Sequence, residues 1–175
     1  MHVFLIGYRG SGKSTVGKLL ATHLGWHLVD TDEWIESDSG MTICQIFAEE
    51  GESGFRDREE TMVARAAALP EPTVVSLGGG AVLRDANQRR IQESGNCVWL
   101  AASAEFLFQR INRDASSDMR RPNLSDRGGF EEVAEVLAFR EPIYRRLAGK
   151  IVNTEGRTPD EVVEEIGAWV KSNAQ

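Results

Sequence analysis

The sequence predicts an α/β fold, a three-layer α/β/α arrangement with a parallel sheet covered by helices on both faces. Two patterns carry that reading. Short apolar runs of strand length alternate along the chain with longer amphipathic stretches, as they do where crossover helices join parallel strands. The first run, Val3-Phe4-Leu5-Ile6, is apolar without interruption, which a strand buried on both faces requires.

That run ends at Gly7 and forms a central strand. Residues 14–24 place Val16, Leu19, Leu20 and Leu24 at helical spacing, and Gly25 provides the stop. Trp26 to Val29 is a second, short strand. Thr42 and Gln45 make a capping-box pair before Ile43, Ile46 and Phe47, so a helix starts there. Residues 53–69 form another helix, ended by Pro70. Thr73-Val74-Val75-Ser76-Leu77 is a third strand and runs into Gly78-Gly79-Gly80. Cys97-Val98-Trp99-Leu100 is a fourth and Lys150-Ile151-Val152 a fifth. The last helix opens with the capping box Thr158/Glu161 and Pro159 at its first position. Its apolar face is Val162, Val163, Ile166, Trp169 and Val170.

Residues 114–129, DASSDMRRPNLSDRGG, break this rhythm: they are polar, Arg-rich and aperiodic. Loops of that length in compact domains are functional lids or disordered segments, and a lid is expected here. No repeat, linker or second apolar cluster appears, so residues 1–175 are expected to form a single domain.

The composition excludes several function classes. With 41% hydrophobic residues the chain has enough apolar material for a core and is not a disordered tail. A net charge of -7 argues against binding nucleic acid or an anionic membrane through net positive charge. The cations are unevenly chosen, 16 Arg against four Lys, and Arg favours bidentate recognition of carboxylate and phosphate. Two cysteines, Cys44 and Cys97, in apolar surroundings imply no disulfide framework. No apolar run reaches the roughly 20 residues of a membrane span, so a cytoplasmic location is expected.

Gly7-Tyr8-Arg9-Gly10-Ser11-Gly12-Lys13-Ser14 matches GxxxxGK[ST]. At this chain's residue frequencies an accidental match has a chance of about 0.4%, and the motif follows a buried strand and opens a helix. In such a loop backbone N–H groups curl around phosphate oxygens and the helix N-terminus adds its dipole. Gly10, Ser11, Gly12, Lys13, Ser14 and Thr15 are thus candidate nucleotide contacts, with Lys13 on the β/γ phosphates and the Ser14 hydroxyl on Mg²⁺. No Asn-Lys-x-Asp guanine motif occurs, so ATP is the expected nucleotide.

Asp30-Thr31-Asp32 falls at the carboxyl edge of the second strand, where open α/β sheets bind ligands. One carboxylate there can hold magnesium-bound water and the other can accept the proton of an acceptor hydroxyl. Alternatively, Asp32 caps a helix beginning near Glu33. Arg56 in Phe55-Arg56-x-x-Glu59 and Arg140 in Arg140-Glu141-Pro142-x-Tyr144 look, each by itself, like ordinary surface-helix arginines. The triple glycine is either a tight turn or a place where bare backbone N–H groups approach a ligand.

Together these motifs, in this order, resemble the shikimate kinase family along essentially the whole chain. The match runs through the phosphate loop, Asp30-x-Asp32, Gly51-Glu52-x-x-Phe55-Arg56-x-x-Glu59, Gly78-Gly79-Gly80, Arg121-Pro122 and Arg140-x-Pro142-x-Tyr144. The resemblance implies a nucleoside-monophosphate-kinase-like fold, with five parallel strands in the order 2-3-1-4-5. It implies transfer of the γ-phosphate of ATP to the 3-hydroxyl of shikimate, on the route to chorismate and the aromatic amino acids. It also implies that Asp32, Arg56, Gly78, Gly79, Gly80 and Arg140 bind shikimate within an acceptor segment near residues 31–60. The two arginines would take the carboxylate, and Glu59 would orient Arg56. Asp30 would hold Mg²⁺ through water beside Ser14. Arg121 would reach the phosphates from the lid, while Arg110 and Arg157 would lie on the adenine side. The doubled cations leave Arg113 beside Arg110, and Arg120 beside Arg121, as second candidates. A monomer is expected. The competing readings are a gluconate-type kinase of the same fold, and a nonenzymatic ATP-binding switch.

Overall fold

The computed structural model describes residues 1–113 and 129–173. Five strands form one parallel sheet: β1 (His2–Ile6), β2 (His27–Asp30), β3 (Thr73–Ser76), β4 (Gly95–Ala101) and β5 (Lys150–Asn153). Their order is β2-β3-β1-β4-β5, as the resemblance implied. The boundaries differ slightly from the pattern in the sequence. β2 begins and ends one residue later than Trp26–Val29, because the chain is still turning out of the preceding helix at Trp26, whose N–H donates to Ala21 O. β4 reaches back to Gly95 to pair with His2 of β1.

Seven helices are described: α1 (Lys13–Leu24), α2 (Thr31–Ser39), α3 (Ile43–Ala67), α4 (Asp85–Ser94), α5 (Ala104–Arg113), α6 (Gly129–Leu147) and α7 (Pro159–Ser172). Both predicted capping boxes form, with Thr42 and Gln45 opening α3 and Thr158 and Glu161 opening α7. The two helices expected between residues 42 and 69 abut without a loop, so α3 is one run interrupted at Gly51. Arg58 spans that break with two hydrogen bonds to Glu50, at 2.9 and 2.7 Å.

Alternation along β1 divides the core. Val3 and Leu5 pack with Val74, Val98, Leu100 and Val152 against α1 and α7. Phe4 and Ile6 point to the other face, where Val75, Trp99 and Leu77 meet side chains of α3 to α6. Each such fully buried side chain contributes roughly 1.5–3 kcal/mol, so burial on both faces fixes the strand order and leaves the carboxyl edge to ligands. A smaller cluster of Ile35, Ile43, Ile46, Phe55 and Met62 holds α2 to α3 beside that edge. Cys97 lies in the core, where burial pushes its thiol up to about 12; neither it nor Cys44 is in a disulfide. No described helix is long and apolar enough to cross a membrane.

Candidate active site

The phosphate loop leaves β1 and closes at Gly12, which precedes α1 in a left-handed conformation (φ 95°). L-residues avoid that region, so glycine is required there. Lys13 Nζ donates to the carbonyls of Gly7 and Tyr8, both at 2.9 Å. The ammonium therefore braces the loop as well as bringing charge to it, a second role that the motif alone does not reveal. Ser11 is buried, and its N–H closes the turn onto Tyr8 O. At the first turn of α1, Ser14 Oγ donates to Asp30 Oδ2 at 3.1 Å.

Asp30 is the residue that caps α2: its Oδ1 accepts from the Asp32 N–H at 3.0 Å. The cap suggested for Asp32 is thus provided two residues earlier, and α2 begins at Thr31 rather than near Glu33. Asp32 lines the cleft. Thr31, between them, is fully buried and bonds across to β3 and the glycine turn.

Arg56 and Arg140 are not the surface arginines that they resemble in isolation; their exposure is 8% and 6%. The α2–α3 cluster carries Phe55 and so draws Arg56 inward. There Nη1 meets the buried Glu59 carboxylate at 2.6 Å, while Nε and Nη2 meet Glu52 at 3.3 and 3.1 Å. Arg140, on α6, has its guanidinium 5.9 Å from the centre of the Tyr8 ring. Tyr8 is itself buried, which pushes its phenol up. Both arginines abut the glycine turn. A Cβ on Gly80 would lie 2.4 Å from two Arg56 nitrogens, and one on Gly79 would lie 3.4 Å from Arg140 Nη1. Tyr144, one turn beyond Arg140, fixes the turn by donating its hydroxyl to Gly79 O at 2.5 Å.

A cleft of about 430 Å³ runs along this edge of the sheet. Gly10, Gly12, Lys13, Ser14, Thr15, Asp30, Asp32, Gly78, Gly79 and Arg110 line it, so most of the predicted residues share one cleft. Arg56, Gly80 and Arg140 do not line it; the two arginines pack against the glycine turn, whose Gly78 and Gly79 do. Arg110 also lines a shallow crevice with Ser11, Thr15 and Arg157 on the far side of the loop. Arg157 is held there by Glu165 at 2.6 Å and by the carbonyls of Asn153 and Glu161. Hydrogen bonds from Lys150 and Arg157 hold the Glu165 carboxyl below its ordinary range. Arg113 ends α5, while Arg120, Arg121 and the lid expected over 114–129 lie outside the described residues apart from Gly129.

Three residues of the site were not singled out from the sequence. Arg9 lines the cleft and pairs at 3.8 Å with the buried Glu132 of α6, and Thr31 joins the Asp pair to the glycine turn. A cation inside the phosphate loop was a visible signal for Arg9; nothing local marked the other two.

A parallel sheet with a phosphate loop after its central strand, and with carboxylates and arginines across the same cleft, defines a P-loop kinase. A family model described as shikimate kinase matches residues 9–171. A shikimate kinase of Rhodopirellula baltica is 46% identical over 165 residues, covering 94% of this chain and 88% of the relative. One of Symbiobacterium thermophilum is 43% identical, covering 95% and 94%. The solved shikimate kinase of Acinetobacter baumannii in complex with shikimate superposes with a TM-score of 0.91 at 32% identity, covering 98% of this chain and 93% of that one. The chain belongs to the shikimate kinase family. It is an ATP-using enzyme that phosphorylates shikimate.

Proposed function

We propose that this chain transfers the γ-phosphoryl group of ATP to the 3-hydroxyl of shikimate, and that it does so as a cytoplasmic, monomeric, single-domain enzyme of aromatic amino-acid biosynthesis. The observation that supports this choice of acceptor is the pair of buried guanidinium groups, Arg56 and Arg140, packed against the glycine turn that borders the phosphate-loop cleft. A carboxylate entering a partly dry site loses hydration that fixed, charge-assisted donors replace. Arg56 is oriented for this by Glu59.

In this reading the two arginines and the turn Gly78-Gly79-Gly80 hold the ring, and Asp32 accepts the proton of the 3-hydroxyl. That oxygen forms the new bond to the γ-phosphorus while the bond to the β,γ-bridging oxygen breaks, leaving shikimate 3-phosphate and ADP. Lys13 offsets charge on the phosphates, with Gly10, Ser11, Gly12 and Thr15 around them. Arg110 and Arg157 flank the adenine, and Arg121, from the lid segment, reaches the phosphates. Ser14 and Asp30 are hard oxygen donors 3.1 Å apart. Such a pair fits Mg²⁺, which takes one or two protein ligands and completes its shell with water and phosphate oxygens. Ser14 would hold the ion directly and Asp30 through water, and when bound it would neutralise phosphate charge.

The test is ADP release measured with shikimate, quinate, gluconate and nucleoside monophosphates, repeated on Arg56→Lys and Arg140→Lys. Lysine keeps the charge but not the planar pair of donors. Each substitution is expected to raise KM for shikimate about tenfold or more, with KM for ATP unchanged. Wild-type turnover that prefers gluconate, or that is indifferent to removal of the acceptor carboxylate, would refute the reading.

A further inference from the structure

β2 and β3 pair up to the rung that joins Asp30 to Ser76. Beyond it the two segments part, one entering α2 and the other turning into Gly78-Gly79-Gly80. A side chain continues the ladder across the opening. Thr31 Oγ1 accepts from the Gly78 N–H at 3.2 Å and donates to the Ser76 carbonyl at 3.3 Å. Thr31 is 0% exposed, so no solvent stands in for either bond. It is also the middle residue of Asp30-Thr31-Asp32. Its hydroxyl therefore ties the segment that carries Asp32 to the turn against which Arg56, Arg140 and Tyr144 pack.

We propose that Thr31 is a positioning residue of the acceptor site. Its hydroxyl sets the separation between Asp32 and the glycine turn, and through it the register of the acceptor's reacting hydroxyl against its carboxylate. The inference rests on the function proposed above. In a cyclic acceptor the two groups are a fixed distance apart, so a site that engages both must hold its two walls at a matching distance. A misplacement of about 1 Å costs on the order of 10²-fold in rate. Valine has threonine's shape without the hydroxyl, and leaves the buried Gly78 N–H and Ser76 carbonyl without this partner. Serine keeps the hydroxyl.

The experiment compares wild type with Thr31→Val and Thr31→Ser, varying shikimate and ATP separately. It also follows ATP hydrolysis without acceptor and hydrogen exchange of the Gly78 amide. Thr31→Val is expected to lose about 10- to 100-fold in kcat/KM for shikimate. Its KM for ATP and its acceptor-free hydrolysis should stay within about twofold of wild type, and Gly78 should exchange faster. Thr31→Ser should restore the shikimate kinetics to within about threefold. If Thr31→Val does not fold, Thr31→Ala against Thr31→Ser decides by the same criteria. An active wild type matched by Thr31→Val overturns this inference alone. So does a loss shared equally by shikimate and ATP, or one that serine fails to rescue, since either marks a merely structural role. A wild type inactive on shikimate overturns the proposed function and this inference with it.

Discussion

Gly80→Ala isolates the acceptor clamp from the rest of the enzyme. Gly80 has φ -99° and ψ -1°, which any L-residue adopts, so alanine brings no backbone strain. The effect is steric and has one target. The new Cβ would stand 2.4 Å from Nη1 and Nη2 of Arg56 and 2.6 Å from Cζ, whereas carbon contacts settle near 3.5 Å. The guanidinium must therefore retreat by about 1 Å. Its end is flexible, so folding is little affected, but Glu59 at 2.6 Å and Glu52 at 3.1 Å restrict where it goes. A shift of that size disrupts charge-assisted bonds to a bound carboxylate, each contributing roughly 1.5–3 kcal/mol. Losing one corresponds to roughly a 10- to 150-fold weaker interaction. Steady-state assays with shikimate varied at saturating ATP should show KM raised by about that factor, with KM for ATP within about twofold. Thermal melts should show little change. A shikimate KM that stays at the wild-type value would mean that Arg56 does not face the acceptor, and the clamp would fail as an explanation.

Two further outcomes follow from the geometry. Lys13→Ala removes both the phosphate charge and the two loop bonds to Gly7 O and Tyr8 O; kcat should fall by about 10²-fold or more, and ATP should no longer raise the melting temperature as it does for wild type. Retained protection by ATP would deny Lys13 its bracing role. His2 is buried, and that burial lowers its pKa below 6.5. The unfolded chain then takes up a proton first as pH falls through about 6.5, so stability is lost below that pH and is unaffected by this group above it. Urea unfolding of His2→Gln should show a shallower loss as pH falls below about 6.5, and an unchanged slope would sink the assignment.

What the sequence disclosed about this molecule divides along the line between local and non-local physics. The phosphate loop, the two capping boxes and the strand runs depend on neighbours within a few residues, and each was legible. Helix α4 was not. Its buried positions are Asn87, Gln88 and Ile91, and the two amide nitrogens donate to the carbonyls of Ala81 and Val82, so the face turned inward carries no apolar stripe. The acceptor side failed for the same reason. Nothing within a few residues of Arg140 says that it will be buried, because its surroundings come from Tyr8 in the loop after β1 and from the turn after β3.

Burial of these two cations is also what makes them informative. An exposed arginine is hydrated and binds a carboxylate weakly, whereas one inside the protein stays charged and needs acceptors to replace the hydration it has lost. Arg56 has Glu59 on one guanidinium nitrogen and Glu52 on two others, an arrangement that fixes its plane at the cost of side-chain freedom. Such fixing confers little net stability, since desolvation offsets most of the attraction. Its benefit appears when an anion arrives, because the donors are already aimed and the ordering cost has been met during folding. The same logic extends to Thr31: a buried hydroxyl that uses its bonds to join the start of α2 to the end of β3 and the glycine turn adds modestly to stability, yet in the proposed role sets the distance between the two ends of the acceptor site. Residues of this kind cannot be found by asking which side chains touch a ligand, only by asking which ones hold the walls apart.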